Sequence, residues 1–301
     1  MAARTARRRI VRVALPAPAV PVAPGDPAGS GGPPGCGDPA GSGGPGNGQA
    51  VLSTRPDLLA AEEPLEIRVN DRPLAVTMRT PGDDIDLAAG FLATEGLVRS
   101  APDIASIRLC GDGNVAEVTL AAGLGVDDDR LRRNFLTTSA CGVCGKASIE
   151  SVRVRARYDV TADRVRVAPA TLTMLPGRLR DAQRVFASTG GLHAAGVFAA
   201  DGSLLALRED VGRHNAVDKV AGWALREGRL PLAGRILLVS GRASFELVQK
   251  ALVAGLPVVA AVSAPSSLAA DLAEEAGMTL VGFLRGGSMN VYAGAGRITA
   301  P

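Results

Sequence analysis

Between residues 236 and 283 three unbroken apolar runs alternate with two amphipathic ones, and few folds accept that order. Residues 236–240, 258–263 and 279–283 read as strands, and 244–254 and 267–276 as helices. A strand that is apolar at every position, and not at every second one, must be buried on both faces. Such strands separated by helices predict a partly parallel sheet covered on both sides, an α/β arrangement. Upstream, 194–199 and 203–207 flank Asp201-Gly202, a hairpin signal. Val217, Val220, Ala221, Ala224 and Leu225 then form one helical stripe that ends at Gly228.

The chain ahead of this pattern reads differently. Residues 65–69 alternate with period two, Asn70-Asp71 suits a turn, and 74–78 reads as the return strand. Asp83 or Asp84 can cap a helix from 85 to about 95, which Gly96 closes. Residues 104–110 and 115–120 flank a polar turn at 111–114. The expectation is a small α+β subdomain over 51–135 with no chemistry of its own. An α/β domain over 136–301 follows it, so the chain is α+β overall.

Residues 16–48 are dominated by Pro and Gly, and the string Gly25 to Pro33 recurs as Gly37 to Pro45. A segment of that kind buries too little apolar surface to offset its ordering entropy. Residues 1–50 are therefore expected to be a disordered Pro/Gly-rich tail, with an Arg-led docking arm as the second reading. Arg4, Arg7, Arg8, Arg9 and Arg12 against Asp26 and Asp38 account for the whole net charge of +3. A neutral remainder argues against broad nucleic-acid binding, which needs many uncompensated cations. No apolar run reaches membrane-spanning length. The six residues Ile10 to Leu15 after the opening arginines are too few for the apolar core of a signal peptide. Four cysteines do not make a disulfide framework, and the chain reads as reduced and cytoplasmic.

Three constellations carry chemistry. The first is Cys141-Gly142-Val143-Cys144-Gly145-Lys146. The flanking glycines leave the sulfurs little steric cover. A helix starting just after them, or the Lys146 cation, would favour the reactive thiolate. Cys141 is the expected nucleophile, and Cys144 assists it, resolves it or shares its cargo. Three rivals compete. Zinc wants four ligands, but the only histidines, His193 and His214, are far apart in sequence and there is no second CxxC. A thioredoxin-like pair should follow a strand, and residues 137–140 do not read as one. A purely structural pair is not normally bracketed by glycines.

The second constellation joins residues 189–195 to Arg208-Glu209-Asp210-Val211-Gly212-Arg213-His214-Asn215. Its plain reading is a helix cap by Asp210 or Asn215, with Arg208 and Glu209 as a surface pair. Its functional reading is a site holding both histidines of the chain. His193-Ala194-Ala195 resembles the His-x-Glu of zinc deaminases, but alanine stands where the acid/base must be. The third constellation is positional. Residues 240–244, 263–267 and 283–288 end three predicted strands, where open α/β sheets bind ligands. Hydroxyls, helix starts and arginines among glycines suit a phosphate or pyrophosphate. There is no Walker A sequence, and no dinucleotide fingerprint outside the tail.

Taken together, these stretches resemble the FdhD family, the formate dehydrogenase accessory sulfurtransferases, over residues 51–297. The resemblance implies a three-layer domain similar to cytidine deaminases, with His193-Ala194-Ala195 as a relic. It also implies a carrier that takes sulfur from a cysteine desulfurase as a persulfide. The sulfur then passes to the molybdenum cofactor, in its bis(guanine dinucleotide) form, before insertion into formate dehydrogenase. On this resemblance the persulfide falls on Cys141, with Cys144 beside it. The cofactor segment falls on Phe283, Leu284, Arg285, Gly286, Gly287 and Ser288. Arg208, Arg213, His214 and Arg242 are further candidate contacts to phosphate or guanine. No metal ligand set, nucleic acid or membrane is implied, and so large a ligand suits a homodimer with paired sites.

Overall fold

The computed structural model of the chain describes residues 3–14, 51–125, 135–137 and 157–299. By its internal contacts the chain divides into Met1–Ala6 with Leu58–Pro301, and Arg7–Asp57. The first strand corrects the expectation of an unstructured 1–50. β1 (Thr5–Ala14) pairs with β2 (Val51–Ala60) in a two-stranded ribbon. Ile10, Val11 and Val13 interleave with the arginines and give this run a β character that the Pro/Gly composition of its neighbours hides.

In the larger unit, β3 (Glu63–Val69) and β4 (Arg72–Arg79) form a hairpin, and Asn70 and Asp71 both take positive φ in its two-residue turn. The helix α1 (Asp84–Thr94) follows, then β5 (Ile104–Cys110), β6 (Val115–Leu120) and β7 (Phe135–Thr137). The sheet order is β5-β6-β3-β4-β7. Leu65, Ile67 and Val69 turn inward onto Leu87 and Leu92 of α1, as the period-two pattern requires. The helix is not capped by a side chain: Asp83 sits in the left-handed region and makes no capping bond.

The second sheet has the order β13-β12-β11-β10-β8-β9. Its strands are β8 (His193–Ala199), β9 (Leu204–Asp210), β10 (Arg235–Val239), β11 (Val258–Ala261), β12 (Thr279–Arg285) and β13 (Ser288–Ala293). β10, β11 and β12 run parallel, and the other neighbours pair antiparallel. Alternate residues feed two separate cores. Leu237, Val239, Val259 and Ala261 meet α4 (Arg213–Arg226), α5 (Phe245–Val253) and α6 (Ser267–Glu275) on one face. Ile236, Leu238, Val258 and Ala260 meet Leu172, Leu175 and Leu179 of α2 (Pro169–Ala182) on the other. The short α3 (Arg184–Thr189) leads into β8. These continuously apolar strands therefore form the mixed α/β fold covered on both faces that the sequence predicts. No helix among the described residues is long and apolar enough to cross a membrane.

Helices α1 and α4 touch backbone to backbone. A Cβ added to Gly90 would lie 1.8 Å from the carbonyl oxygen of Asp218, and one added to Gly222 would lie 1.8 Å from that of Asp86. This contact joins the helix of the first sheet to a helix of the second.

Candidate functional site

Strand direction alone gathers the polar motifs. β9, β10, β11 and β12 all end at one edge of the second sheet, and β8 and β13 begin there. His193 opens β8 opposite Asp210, the last residue of β9. Ser240 follows β10: its N–H donates to the Ala194 carbonyl (3.0 Å), and its Oγ accepts from the Ala194 N–H (2.9 Å). Ser263 N–H donates to the Gly241 carbonyl, and Phe283 N–H to the Ser263 carbonyl (3.1 Å). The N-termini of α4, α5 and α6 open at the same edge, after Gly212, Ser244 and Ser266. Helix N-termini present unpaired N–H groups and a partial positive charge to an anion.

The segment from Phe283 to Ser288 is a hairpin. Phe283, Leu284 and Arg285 finish β12, Gly286 and Gly287 form the turn, and Ser288 starts β13 opposite Arg285. Both glycines have positive φ (58° and 77°), the demand of a tight primed turn. Phe283 also has positive φ (50°), a rare conformation for an aromatic residue. Arg285 stacks over its ring at 5.5 Å. Leu284 corrects the sequence reading of this stretch: its side chain is fully buried in the core under α2 and offers no side-chain contact to a ligand.

The structure also sorts the candidate cations. Arg208 is engaged, with Nη2 2.7 Å from Asp86 Oδ2, so it is neither a surface partner of Glu209 nor open to phosphate. Glu209 is itself buried and accepts the N–H groups of Val185 and Phe186 at the start of α3. His214 is buried, with Nε2 3.0 Å from Glu246 Oε2. Arg213, Arg242 and Arg285 form no ion pair among the described residues, and the buried Nε of Arg213 has no hydrogen-bond partner there. Three guanidiniums without an ion pair among the described residues thus lie at the edge where three helices begin.

Asp210 holds this edge together. It is fully buried and accepts from Thr80 N–H (3.1 Å), Gly212 N–H (2.8 Å) and Asn215 Nδ2 (3.0 Å). Lys219 Nζ lies 2.7 Å from its Oδ2, the oxygen that also accepts from Thr80. Burial pushes the Asp210 carboxyl up, and Lys219 and these donors oppose the shift. The cap reading of Asp210 and Asn215 needs correction: α4 starts after Gly212 with no side-chain cap bond, and Asp210 instead accepts the N–H groups of Gly212 and Thr80, while Asn215 Nδ2 donates to Asp210 and to the Met78 carbonyl. Thr80 and Thr77 were not expected, because 51–135 was read as having no chemistry. Thr77 Oγ1 lies 3.2 Å from Asn215 Oδ1, so β4 is wired into the second sheet's edge. The signal was present: Thr77 and Arg79 occupy inward positions of β4, where a core strand should be apolar.

Behind His214 lies a polar cavity of about 30 Å³, lined by Thr94, Asn215, Asp218, Glu246 and Lys250 among others. Lys250 Nζ bridges Asp218 (2.8 Å) and Thr94 (2.9 Å) across its wall. That space holds about one water, and a nucleotide does not fit it.

His193 is only partly buried there. Burial, then the charges of Arg213 and His214, hold its imidazole below the ordinary 6.5, with Asp210 opposing. A depressed value means that the folded state binds fewer protons than the unfolded chain. This group's stabilising contribution is then present above pH 6.5 and lost as the pH falls from there through the lower folded-state value. An NMR titration of His193 is expected to give a midpoint under 6.5. A midpoint at or above it would mean that Asp210 outweighs burial and the charges of Arg213 and His214.

Cys141 and Cys144 lie outside the described residues. The strand before them is described. β7 ends at Thr137, which pairs with Thr77, the residue bonded to Asn215. Three residues lie between Thr137 and Cys141, so the four Cα–Cα steps reach at most about 14 Å. A short strand thus comes before the cysteines, ending at Thr137, the first of the residues 137–140 that do not read as a strand. Cys110, at the end of β5, is exposed and free.

Comparison with known proteins adds a family. A model of the FdhD/NarQ family matches residues 60–299. A sulfur carrier protein FdhD from Mycolicibacterium paratuberculosis is 61% identical over 259 residues, covering 83% of this chain and 94% of that protein. Another from Streptomyces coelicolor is 60% identical over 256 residues, covering 82% and 91%. The crystal structure of a candidate formate dehydrogenase accessory protein from Desulfotalea psychrophila is similar with a TM-score of 0.65 at 27% identity. It covers 82% of this chain and 94% of that one.

Proposed function

This chain belongs to the FdhD/NarQ family, and from that premise we propose that it carries sulfur on Cys141 for the maturation of formate dehydrogenase. Cys141 takes the outer sulfur of a cysteine desulfurase persulfide. Its thiolate attacks that sulfur, the desulfurase thiolate leaves, and Cys141 holds the new S–S bond. Cys144 assists or shares the cargo. The sulfur then goes to the molybdenum cofactor in its bis(guanine dinucleotide) form, which is substrate here and not a resident group. The protein works in the cytoplasm, without nucleic acid or membrane, and a homodimer would present paired sites to so large a substrate.

The observation that carries this reading is the meeting of a phosphate-suited edge and a short leash. Arg213, Arg242 and Arg285, the N-termini of α4, α5 and α6, and the Gly286-Gly287 turn share one edge of the second sheet. Cys141 is leashed to β7, beside Thr77 of the polar network that Asp210 organises. In such a site Phe283 offers a ring face to a guanine or pterin. Arg285 and Ser288 offer donors to phosphate, and the two glycines let the backbone approach it. Leu284 supports the hairpin from below. Guanidinium forks suit phosphate oxygens.

Mass spectrometry tests the first step. After incubation with a cysteine desulfurase and cysteine, the peptide containing Cys141 is expected to gain one sulfur that a reductant removes. Unmodified thiol at both Cys141 and Cys144 would remove the relay from consideration and leave a cofactor-holding protein.

A further inference from the structure

The ribbon of β1 and β2 does no work in the reading above, and its composition is unlike the rest of the chain. Arg7, Arg8, Arg9 and Arg12 lie on β1 and Arg55 on β2, against the single acid Asp57. None of the five arginines forms an ion pair or a hydrogen bond to a described residue, whereas Arg4, just before β1, is bound to Asp83 at 2.8 Å. The Ala61 N–H donates to the Arg4 carbonyl at 2.9 Å, so the start of β1 meets the end of β2 and the strands run antiparallel.

Alternation along a strand puts Arg7, Arg9 and Val11 on one face and Arg8, Ile10 and Arg12 on the other. Val11 and Leu52 are 62% and 68% exposed. The ribbon therefore shows cations on both faces with large apolar side chains between them, over roughly 33 Å of strand. Charge on a free edge also discourages stray strand pairing, but that role needs neither this many cations nor exposed Val11 and Leu52. The family match begins at residue 60, after this ribbon.

We propose that the β1–β2 ribbon is a docking arm for a carboxylate-rich protein surface on a partner in sulfur transfer. Guanidinium forks pair bidentately with carboxylates, and exposed apolar groups between them suit a protein contact. The ribbon has no aromatic residue on which bases could stack. A duplex backbone would use the cations but leave Val11 and Leu52 without a contact, and a lipid surface asks for an apolar face opposite a charged one, whereas β1 carries arginines on both. Steering by such an arm speeds encounter and weakens with salt. The inference takes its partners from the carrier reading and nothing else.

The test compares the full-length chain with its Arg7→Gln, Arg8→Gln, Arg9→Gln, Arg12→Gln variant. Binding is measured to purified cysteine desulfurase, to cofactor-free formate dehydrogenase, to a DNA duplex and to vesicles containing phosphatidylglycerol. For at least one protein partner the variant is expected to bind about tenfold more weakly at about 0.05 M salt, with the difference closing near 0.5 M. Equal affinity for both proteins, or a loss confined to DNA or vesicles, overturns the proposal. Circular dichroism and the thermal midpoint check that the body stays folded. Persulfide on Cys141 is read in the same samples. A wild-type chain that binds through the ribbon yet never gains sulfur sinks the carrier reading and spares the arm. A variant that loads and binds like wild type does the reverse.

Discussion

A Cys141→Ala protein is expected to leave formate dehydrogenase activity about a hundredfold or more below the wild-type level, because the atom that holds the sulfur is gone. The Cys144→Ala protein is expected to keep a measurable fraction. A resolving or assisting thiol alters the lifetime of the persulfide, whereas its carrier defines whether it exists at all. Both variants are assayed for formate dehydrogenase activation in a strain without the wild-type gene, at matched protein levels. Full activity with Cys141→Ala would point to a protein that only holds the cofactor. Equal total loss in both variants would instead make the pair one unit, as in a dithiol relay. Neither residue is replaced by a larger side chain, so a folding defect is a weak explanation for loss. Thermal midpoints measured alongside close that gap.

Much of this was legible in the sequence for physical reasons, and the misses have reasons too. The strands β10, β11 and β12 declared themselves because a residue buried on both faces must be apolar at every position. The strand-end reading then followed from topology, and the edge in the structure is the one it required. α2 was missed because Pro169, Pro176 and Gly177 interrupt its pattern, although Leu172, Leu175 and Leu179 keep one face apolar. β1 was lost in the composition of its neighbours. The role of Arg208 was misread because its partner Asp86 is distant in sequence, and no local pattern carries that pairing. Thr80 was invisible for the same reason: its bond to Asp210 crosses from one sheet to the other. Local periodicity fixes which face a residue occupies, and it says nothing about which distant side chain meets it there.

One long-range contact did leave a local trace, and it supports the second large effect. Asp86-Leu87-Ala88-Ala89-Gly90 and Asp218-Lys219-Val220-Ala221-Gly222 share the pattern of an acid, two varied residues, alanine and glycine. In each helix the glycine leaves room for the partner's carbonyl one turn back, at Asp218 and at Asp86 respectively. Glycine inside a helix costs about 1 kcal/mol relative to alanine, so in an isolated helix Gly222→Ala would stabilise. Here the added methyl would stand 1.8 Å from the Asp86 oxygen, with backbone on both sides and no side chain able to swing away. The helices must part, and α4 carries Lys219 and Asn215 away from Asp210 when they do. Gly222→Ala is therefore expected to destabilise the fold by about 3 kcal/mol or more, against the sign of helix propensity. Gly90→Ala should do likewise. The two should be strongly sub-additive, because separation forced by the first methyl makes space for the second. Urea unfolding of the two single variants and the double variant measures all three quantities. Single variants as stable as wild type would mean that the helices do not touch backbone to backbone, and the alignment of Asp210 with Thr80, Asn215 and Lys219 would lose its physical cause.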